Sequence, residues 1–187
     1  MQGKVQIIRS NRRSLGLEIN AKGEIIVRAP YHLTEHDIWR FVESKSQWIE
    51  KHLKQKECDQ EILEIEGCFS KEEIDKLVKL AKVIIPEKVA YYARILSVSY
   101  GRISIRKQKS RWGSCSREGN LNFNCLLMMA PPEVLDYVVV HELCHRIEMN
   151  HSERFWRQVE CVLPDYRARR KWLKDHGNAL MLRMHGK

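Results

Sequence analysis

The chain has 187 residues, of which 43% are hydrophobic and 30% are charged, and its formal net charge is +9. A chain of this length can bury a core without disulfide support, so we expect a single domain. The longest uncharged run, residues 119–132, is too short to cross a membrane, and residues 1–13 lack the apolar segment of a signal peptide. These features argue against a membrane protein and predict a cytoplasmic one.

The first thirty residues carry the alternation of apolar and polar side chains that is typical of β-strands. We expect strands at 5–9, 15–19 and 24–27, a turn at 20–23, and an end to this β-rich segment at Pro30.

A helix is predicted next, because Thr34-x-x-Asp37 has the pattern of a capping box and apolar residues follow at helical spacing as far as Leu53. The polar stretch 54–61 is expected to be a loose connection. It would divide the domain into an N-terminal β/α segment, 1–60, and a catalytic core, 61–187.

A second capping box, Ser70-x-x-Glu73, predicts another helix with apolar residues facing inward. Pro86 is expected to break or kink this helix, because proline lacks the amide hydrogen that the helix needs there.

Beyond Gly101 the apolar period changes to two residues, which indicates strands at 102–106, 111–116 and 121–125. Residues 117–120 have the composition of a hairpin turn. On the last strand Leu121, Phe123 and Cys125 are expected to face one side, whereas Asn122 and Asn124 face the other.

The segment 130–133, Ala-Pro-Pro-Glu, is a good helix start with prolines in the first turn. Apolar residues then occupy most of the circumference of the helix that follows, so we expect it to be buried nearly all round. Two later helices are predicted, one from Ser152 to Pro164 and one from about 165 to 176 that ends at Gly177.

The buried helix carries His141, Glu142 and His145 in the order H-E-x-x-H. Histidines four apart lie about 6 Å apart along one helix face, so both can bind one zinc ion, with Glu142 beside them to deprotonate a water. A hydrogen-bonded polar cluster in the core is the alternative, but unpaired histidines and a carboxylate would be costly to bury.

His151 is the predicted third ligand if the chain reverses direction at 148–150. Asn150 tolerates the left-handed conformation that ends a helix, and Ser152 can cap the next one. The spacing matches the H-E-x-x-H-x-x-G-x-x-H pattern, except that Glu148 replaces its glycine. Glu148 itself and the later Glu160 are the alternative third ligands.

Basic residues are concentrated in two segments. The first lies between residues 101 and 117, without any acidic residue, and the second lies on the last helix. The first contains Arg102, Arg106, Lys107, Lys109, Arg111 and Arg117, and the second contains Arg167, Arg169, Arg170, Lys171 and Lys174. We expect one positive surface beside the metal that could bind nucleic acid or a nucleotide, with an ordinary solvated face as the alternative.

The chain resembles the YgjP-like metallopeptidase family, a zincin group similar to SprT-like and WLM-type proteases. The resemblance is carried by a set of motifs that spans most of the chain. They are Arg28-Ala29-Pro30, 111–116 (RWGSCS), Asn122-Phe123-Asn124, Ala130-Pro131, 137–145, Asn150-His151-Ser152 and Phe155-Trp156.

This resemblance implies an α+β, zincin-like fold in which a small antiparallel or mixed sheet packs on the H-E-x-x-H helix. It also implies one Zn²⁺ per chain held by His141, His145 and His151, with Glu142 as the catalytic base. SprT-like and WLM-type proteases act on proteins attached to DNA, and the resemblance does not decide whether this chain shares that substrate.

A peptide substrate is expected to lie antiparallel to the strand 121–125 and pair with it as an added strand. The residues predicted to contact substrate or to support the metal ligands are Arg111, Trp112, Asn122, Asn124 and Tyr166. A donor is also needed for the negative oxygen of the transition state, and Arg111, Tyr166 and His176 are the candidates.

The sequence therefore predicts a zinc-dependent hydrolase, most simply a metallopeptidase that uses a metal-bound water activated by Glu142. One alternative is a phosphohydrolase of the nucleoside triphosphate pyrophosphatase type, which the basic segments favour. A second alternative is a nucleic-acid-binding protein with a structural zinc.

Overall fold

The computed structural model describes residues 5–20 and 22–185, and the chain divides into two compact units, Met1–Ile65 and Glu66–Lys187. The division lies close to the boundary expected near residue 60, while the single domain stays a prediction. Of the turn expected at 20–23, Ala21 lies outside the described residues. The mixture of small sheets and helices confirms the α+β class.

The first unit is a three-stranded sheet with two helices. Its elements are β1 (Val5–Ser10), β2 (Gly16–Ile19), β3 (Ile25–Pro30), α1 (Glu35–Ser44) and α2 (Ser46–Glu66). The central strand β3 is parallel to β1 and antiparallel to β2, which confirms the three predicted strands. Ile25 and Val27 of β3 are buried with Ile38 and Val42 of α1, as the alternation on β3 and the helical spacing on α1 require.

The loose connection predicted at 54–61 is wrong, because these residues belong to α2. Their lysines, glutamines and glutamates are strong helix formers, and pairs such as Gln55 with Asp59 hydrogen bond across one turn. The polar residues of this stretch were interpreted as a loop, but they are equally compatible with a solvent-exposed helix. The helix predicted as far as Leu53 is instead interrupted at Lys45, between α1 and α2.

The second unit begins with α3 (Lys71–Leu96), which is capped by Ser70 as predicted. Glu73 completes the capping box through the backbone N–H of Ser70. The helix continues through Pro86, although proline was expected to break or kink it. Ile85 and Val89, which flank Pro86, are fully buried, so packing offsets the missing backbone hydrogen bond.

The sheet of the second unit consists of β4 (Ile103–Arg106), β5 (Gly113–Cys115) and β6 (Leu121–Asn124). The predicted hairpin joins β5 and β6 as antiparallel neighbours, and Gly119 supplies the positive φ of 87° that its turn requires. β4 is parallel to β6, so β6 is the central strand and β5 lies at one edge.

Three helices follow a short 3-10 helix, Cys125–Met129, that the sequence did not predict. They are α4 (Pro132–Cys144), α5 (Glu153–Val162) and α6 (Tyr166–His185). The predicted end of the last helix at Gly177 is wrong, because α6 passes through this residue and buries it. Within the described residues, no helix combines the length and the apolar character that a membrane crossing requires.

Candidate metal centre and adjoining cavity

The helix α4 is buried on almost every side, as its apolar circumference predicted. Pro132 lies in its first turn, and the side chain of Glu142 is 5% exposed. Because the helix is embedded in the core, its polar side chains at positions 141, 142 and 145 are held on a rigid element.

Three imidazole rings converge at the C-terminal end of α4. One nitrogen from each of His141, His145 and His151 lies within 4.8 Å of the others. The Nε2 atoms of His141 and His151 are 3.0 Å apart. Ring nitrogens facing one another at this distance are the kind of donor set that a single zinc ion could share.

His145 is oriented by the main chain. Its Nδ1 lies 3.2 Å from the carbonyl oxygen of Glu148. A carbonyl oxygen only accepts, so Nδ1 carries the hydrogen and Nε2 keeps a free electron pair. This hydrogen bond fixes the tautomer that a metal ligand needs.

After α4, helical turns continue as far as residue 148, and the chain bends at 149–150, within the segment where the reversal was predicted. The N–H groups of Arg146 and Glu148 bond back to the carbonyl oxygens of Leu143 and Cys144, both at 2.9 Å. Asn150 was expected to adopt a left-handed conformation, but among the described non-glycine residues only Ser97 has a positive φ. Consecutive tight turns replace the left-handed residue.

The cap of the following helix is confirmed. The Ser152 hydroxyl accepts a hydrogen bond from the backbone N–H of Phe155, and this starts α5. The turn and the cap together return the chain to α4, which brings His151 to His141.

Among the described residues, the convergent group contains neither alternative third ligand. Glu148 contributes its backbone carbonyl to His145. The Glu160 carboxylate instead forms an ion pair with Arg167 at 3.0 Å.

Aromatic residues on α5 surround the histidines. The Phe155 ring centroid lies 4.6–4.9 Å from those of all three, and Trp156 stacks on His151 at 5.7 Å. The Tyr166 ring stacks on Trp156, with the two ring centroids 5.4 Å apart. Sequence analysis assigned no role to Phe155 and Trp156 at the site, although their helical spacing from Ser152 placed them on the first turn of α5.

Burial controls the protonation of these groups. It lowers the pKa of His141 to about 3, with smaller contributions from the charges of His145 and His151. Burial also lowers the pKa of His145. Imidazoles with lowered pKa values are neutral at physiological pH, which is the form that binds metals.

Glu142 is the buried carboxyl group of the site. Burial raises its pKa to about 8, because desolvation disfavours the charged carboxylate. A nearby cation would oppose this shift, so the carboxyl group can hold or release a proton near neutral pH.

A cavity of 220 Å³ adjoins His141 and Glu142. Two predicted site residues, Arg111 and Trp112, contribute to its wall. Gly113, Tyr137, Val138 and Leu173 complete the lining. Tyr137 lies one helical turn before His141 and was not predicted as a site residue, although this spacing places both on the same face of α4.

The other predicted site residues lie outside the cavity lining. Asn124 is fully buried and donates hydrogen bonds to the carbonyl oxygens of Gln108 (2.8 Å) and Arg111 (3.1 Å), so it supports the loop before β5. Asn122 bonds to Ser114 across the hairpin. Tyr166 is covered by Trp156.

His176, a candidate oxyanion donor, stacks on Trp172 and bonds to its carbonyl oxygen. Of the three candidate donors, only Arg111 borders the cavity.

Among the described ion pairs, carboxylates bind four of the eleven basic residues that were predicted to form one positive surface. Lys107 pairs with Asp75 at 3.0 Å, and Lys171 pairs with Asp175. Arg169 is likewise bound to Asp165. Arg170 lies 4.7 Å above the Trp156 ring and brings a positive charge near the histidines.

Residues 13–75 and 69–176 match the YgjP-like metallopeptidase domain family. Two solved structures are similar to part of the chain. One is the metallopeptidase zymogen of Pyrococcus abyssi abylysin, with 24% identity over 49% of this chain and 94% of that chain and a TM-score of 0.44. The other is the metallopeptidase zymogen of Methanocaldococcus jannaschii jannalysin, with 23% identity over 50% of this chain and 94% of that chain and a TM-score of 0.43. The search of curated proteins gives no match.

Proposed function

Because the chain belongs to the YgjP-like metallopeptidase domain family, we propose that it is a zinc-dependent peptidase with His141, His145 and His151 as its metal ligands. The observation that carries the proposal is the convergence of three imidazoles, with nitrogens within 4.8 Å of one another, beside the buried Glu142. Three histidines leave one position of a tetrahedral zinc site open, as in catalytic rather than structural zinc sites.

The donor atoms suit a cation. The Nε2 atoms of His141 and His151 face one another at 3.0 Å, and the Nδ1 atom of His141 is buried without a hydrogen-bond partner. Two neutral rings at this distance either share one N–H···N hydrogen bond, with the hydrogen on one Nε2, or direct both electron pairs at a metal ion. The lowered pKa of His141 keeps its ring in the neutral form that binds metals, and a third ring nitrogen, from His145, lies within 4.8 Å of the other two.

When bound, zinc would act as a Lewis acid that polarises the peptide carbonyl and makes water acidic enough to lose a proton near pH 7. Glu142 would accept this proton on its carboxylate and deliver it to the leaving amine. Its burial excludes solvent that would otherwise compete for the proton.

The substrate strand is expected to pair with β5. Pairing with the strand 121–125 is wrong, because β6 already has β4 and β5 as neighbours. The Trp112 carbonyl accepts from Asn124 and the Ser116 N–H donates to Asn120. Main-chain groups alternate along an antiparallel strand, so those of Gly113 and Cys115 face away from β6 and can bind an extended peptide.

The comparisons support a peptide or protein as the substrate and give no support to a nucleic-acid or nucleotide partner. The dimensions of the site agree with this. A cavity of 220 Å³ is smaller than the roughly 300–1,000 Å³ of pockets that enclose a whole drug-sized ligand. It suits one side chain of a longer chain better than an entire nucleotide.

The test is to purify the protein, measure its metal content, and assay peptide-library and nucleoside triphosphate hydrolysis in parallel. We expect peptide cleavage that a chelator abolishes and added zinc restores. Nucleotide hydrolysis without peptide cleavage, or peptide cleavage unaffected by the chelator, would overturn the proposal.

A further inference from the structure

Half of the eight residues that line the cavity beside Glu142 are apolar or aromatic, and the polar ones, Arg111, His141 and Glu142, belong to the proposed catalytic site. Trp112 and Leu173 are partly buried side chains packed against the main core, and Tyr137 and Val138 are 5% and 3% exposed. Apolar side chains on the wall of a small cavity favour an apolar group in contact with them, because that contact removes apolar surface from water. The cavity lies next to the carboxyl group that would take part in hydrolysis.

The position of Trp112 depends on a glycine in α6. A methyl group added at Gly177 would lie 2.9 Å from Cζ2 of Trp112 and 3.2 Å from its Nε1. The indole therefore occupies space that any side chain at position 177 would need. Gly177 is buried in the middle of a 20-residue helix, where glycine is normally unfavourable. Its close packing against Trp112 explains why glycine occupies this position.

One face of α6 thus contributes to the shape of the cavity. Leu173 and Gly177 are four residues apart, so they lie on the same face of the helix. Leu173 lines the cavity directly, whereas Gly177 acts through the indole that rests on it. A side chain at position 177 would displace the Trp112 ring and thereby change the cavity that the ring borders.

We propose that this cavity is the subsite for one bulky apolar side chain of the peptide next to the scissile bond, and that the contact between Gly177 and Trp112 sets its depth. The proposal rests on the peptidase function proposed above. It deepens that function by naming the substrate class, which is peptides with an aromatic or long aliphatic residue at the cleavage site. Trp112 contacts the substrate, and Gly177 is a positioning residue.

The experiment uses the zinc-loaded full chain and a peptide library that varies each residue around the cleaved bond. For the wild type we expect higher kcat/KM with Phe, Leu or Met at one position than with Ala or Ser. Gly177→Ala should reduce cleavage of the bulky peptides at least about tenfold relative to the small ones, since one methylene is worth about 10–200-fold in an apolar pocket.

Trp112→Phe provides the complementary variant. In the Gly177→Ala background the smaller ring should restore cleavage of bulky peptides, because it lacks the atoms nearest the added methyl group. Alone, Trp112→Phe should extend cleavage to larger side chains. The single variant Trp112→Phe therefore still tests the proposal if Gly177→Ala does not fold. Asn178→Ala, on the exposed side of the same helix, is the matched control and should leave the size preference unchanged.

Direct binding gives a second readout. The affinity of the same peptides, measured by calorimetry on each variant, should show the same dependence on side-chain size.

The outcomes separate the two proposals. Efficient cleavage without a size preference would overturn the subsite and leave the peptidase function intact. An equal loss for all peptides in Gly177→Ala, with no rescue by Trp112→Phe, would also overturn the subsite. Failure to cleave any library member would overturn the peptidase function together with its subsite.

Discussion

Gly113 of β5 and Glu142 of α4 are in closer contact than any residue with a side-chain carbon at position 113 would permit. A methyl group on Gly113 would lie 2.5 Å from Oε1 of Glu142 and 2.7 Å from its Cγ. The strand proposed to bind the peptide therefore packs with one face directly against the proposed general base.

Gly113→Ala should displace the Glu142 carboxyl group and reduce peptide hydrolysis strongly, while the zinc content stays near one per chain. Overpacking of this kind costs about 1–3 kcal/mol of stability. Measurements of kcat/KM, zinc content and Tm check this expectation. Ser114→Ala on the same strand is the control, and wild-type turnover in Gly113→Ala would contradict the importance of the contact.

Glu142→Gln should keep the fold and the metal but lower kcat about 10²–10⁴-fold, because an amide cannot accept the proton from water. Glu133→Gln tests the same change on the exposed first turn of α4 and should have little effect. Steady-state kinetics and metal analysis on both variants are sufficient. Normal turnover in Glu142→Gln would show that another residue is the base.

His151→Ala should release most of the zinc, since only His141 and His145 would remain of the convergent group. Glu148→Ala should retain it, because the structure uses the backbone carbonyl of this residue and not its carboxylate. Competition with a chromophoric chelator measures both affinities. Loss of zinc in Glu148→Ala but not in His151→Ala would make Glu148 the third ligand.

Tyr92 should make the protein less stable at alkaline pH. Burial, and then the negative charge of Asp136, raise its pKa in the folded state to about 12, above the ordinary value of 10.0. Between these values the unfolded chain loses the phenolic proton while the folded chain keeps it, so stability falls as pH rises. The contribution is complete below pH 10 and lost above pH 12.

Thermal unfolding of the wild type and Tyr92→Phe between pH 8 and about 12 tests this expectation. The decline should be shallower in Tyr92→Phe. Tyr91→Phe changes the exposed neighbouring tyrosine and serves as the control. Parallel curves for wild type and Tyr92→Phe would contradict the role of Tyr92.

Local spacing was sufficient to predict the convergent histidines. His141 and His145 are one helical turn apart, and the cap at Ser152 fixes where the next helix begins, so His151 had few positions available. The capping boxes at Thr34 and Ser70 were predicted for the same reason, because each involves residues three apart. The mechanism of the turn was wrong at Asn150, since several backbone arrangements can reverse a chain within the same few residues.

Contacts between distant segments could not be predicted. Gly177 was interpreted as a helix end because glycine disfavours helices, and only its packing against Trp112 explains why α6 continues. The central position of β6 depends on its parallel pairing with β4. The alternation of apolar and polar residues along the two strands does not reveal this pairing. Asn122 and Asn124 are two residues apart on β6, so they were expected to face the same side of the sheet. The amide of Asn124 is instead buried beneath the loop before β5.

The metal site is formed by residues that are close in sequence, whereas the cavity is formed by segments that are far apart in sequence. His141 and His151 are ten residues apart, whereas the cavity requires β5, α4 and α6 to assemble. Joining nearby residues costs little loop-closure entropy, so the metal-binding segment can survive a partial opening that separates α6 from β5. Under mild denaturation or heat, we therefore expect peptide selection to disappear before zinc is released. In an ageing preparation the zinc content would overstate the fraction of molecules able to choose and cleave a peptide.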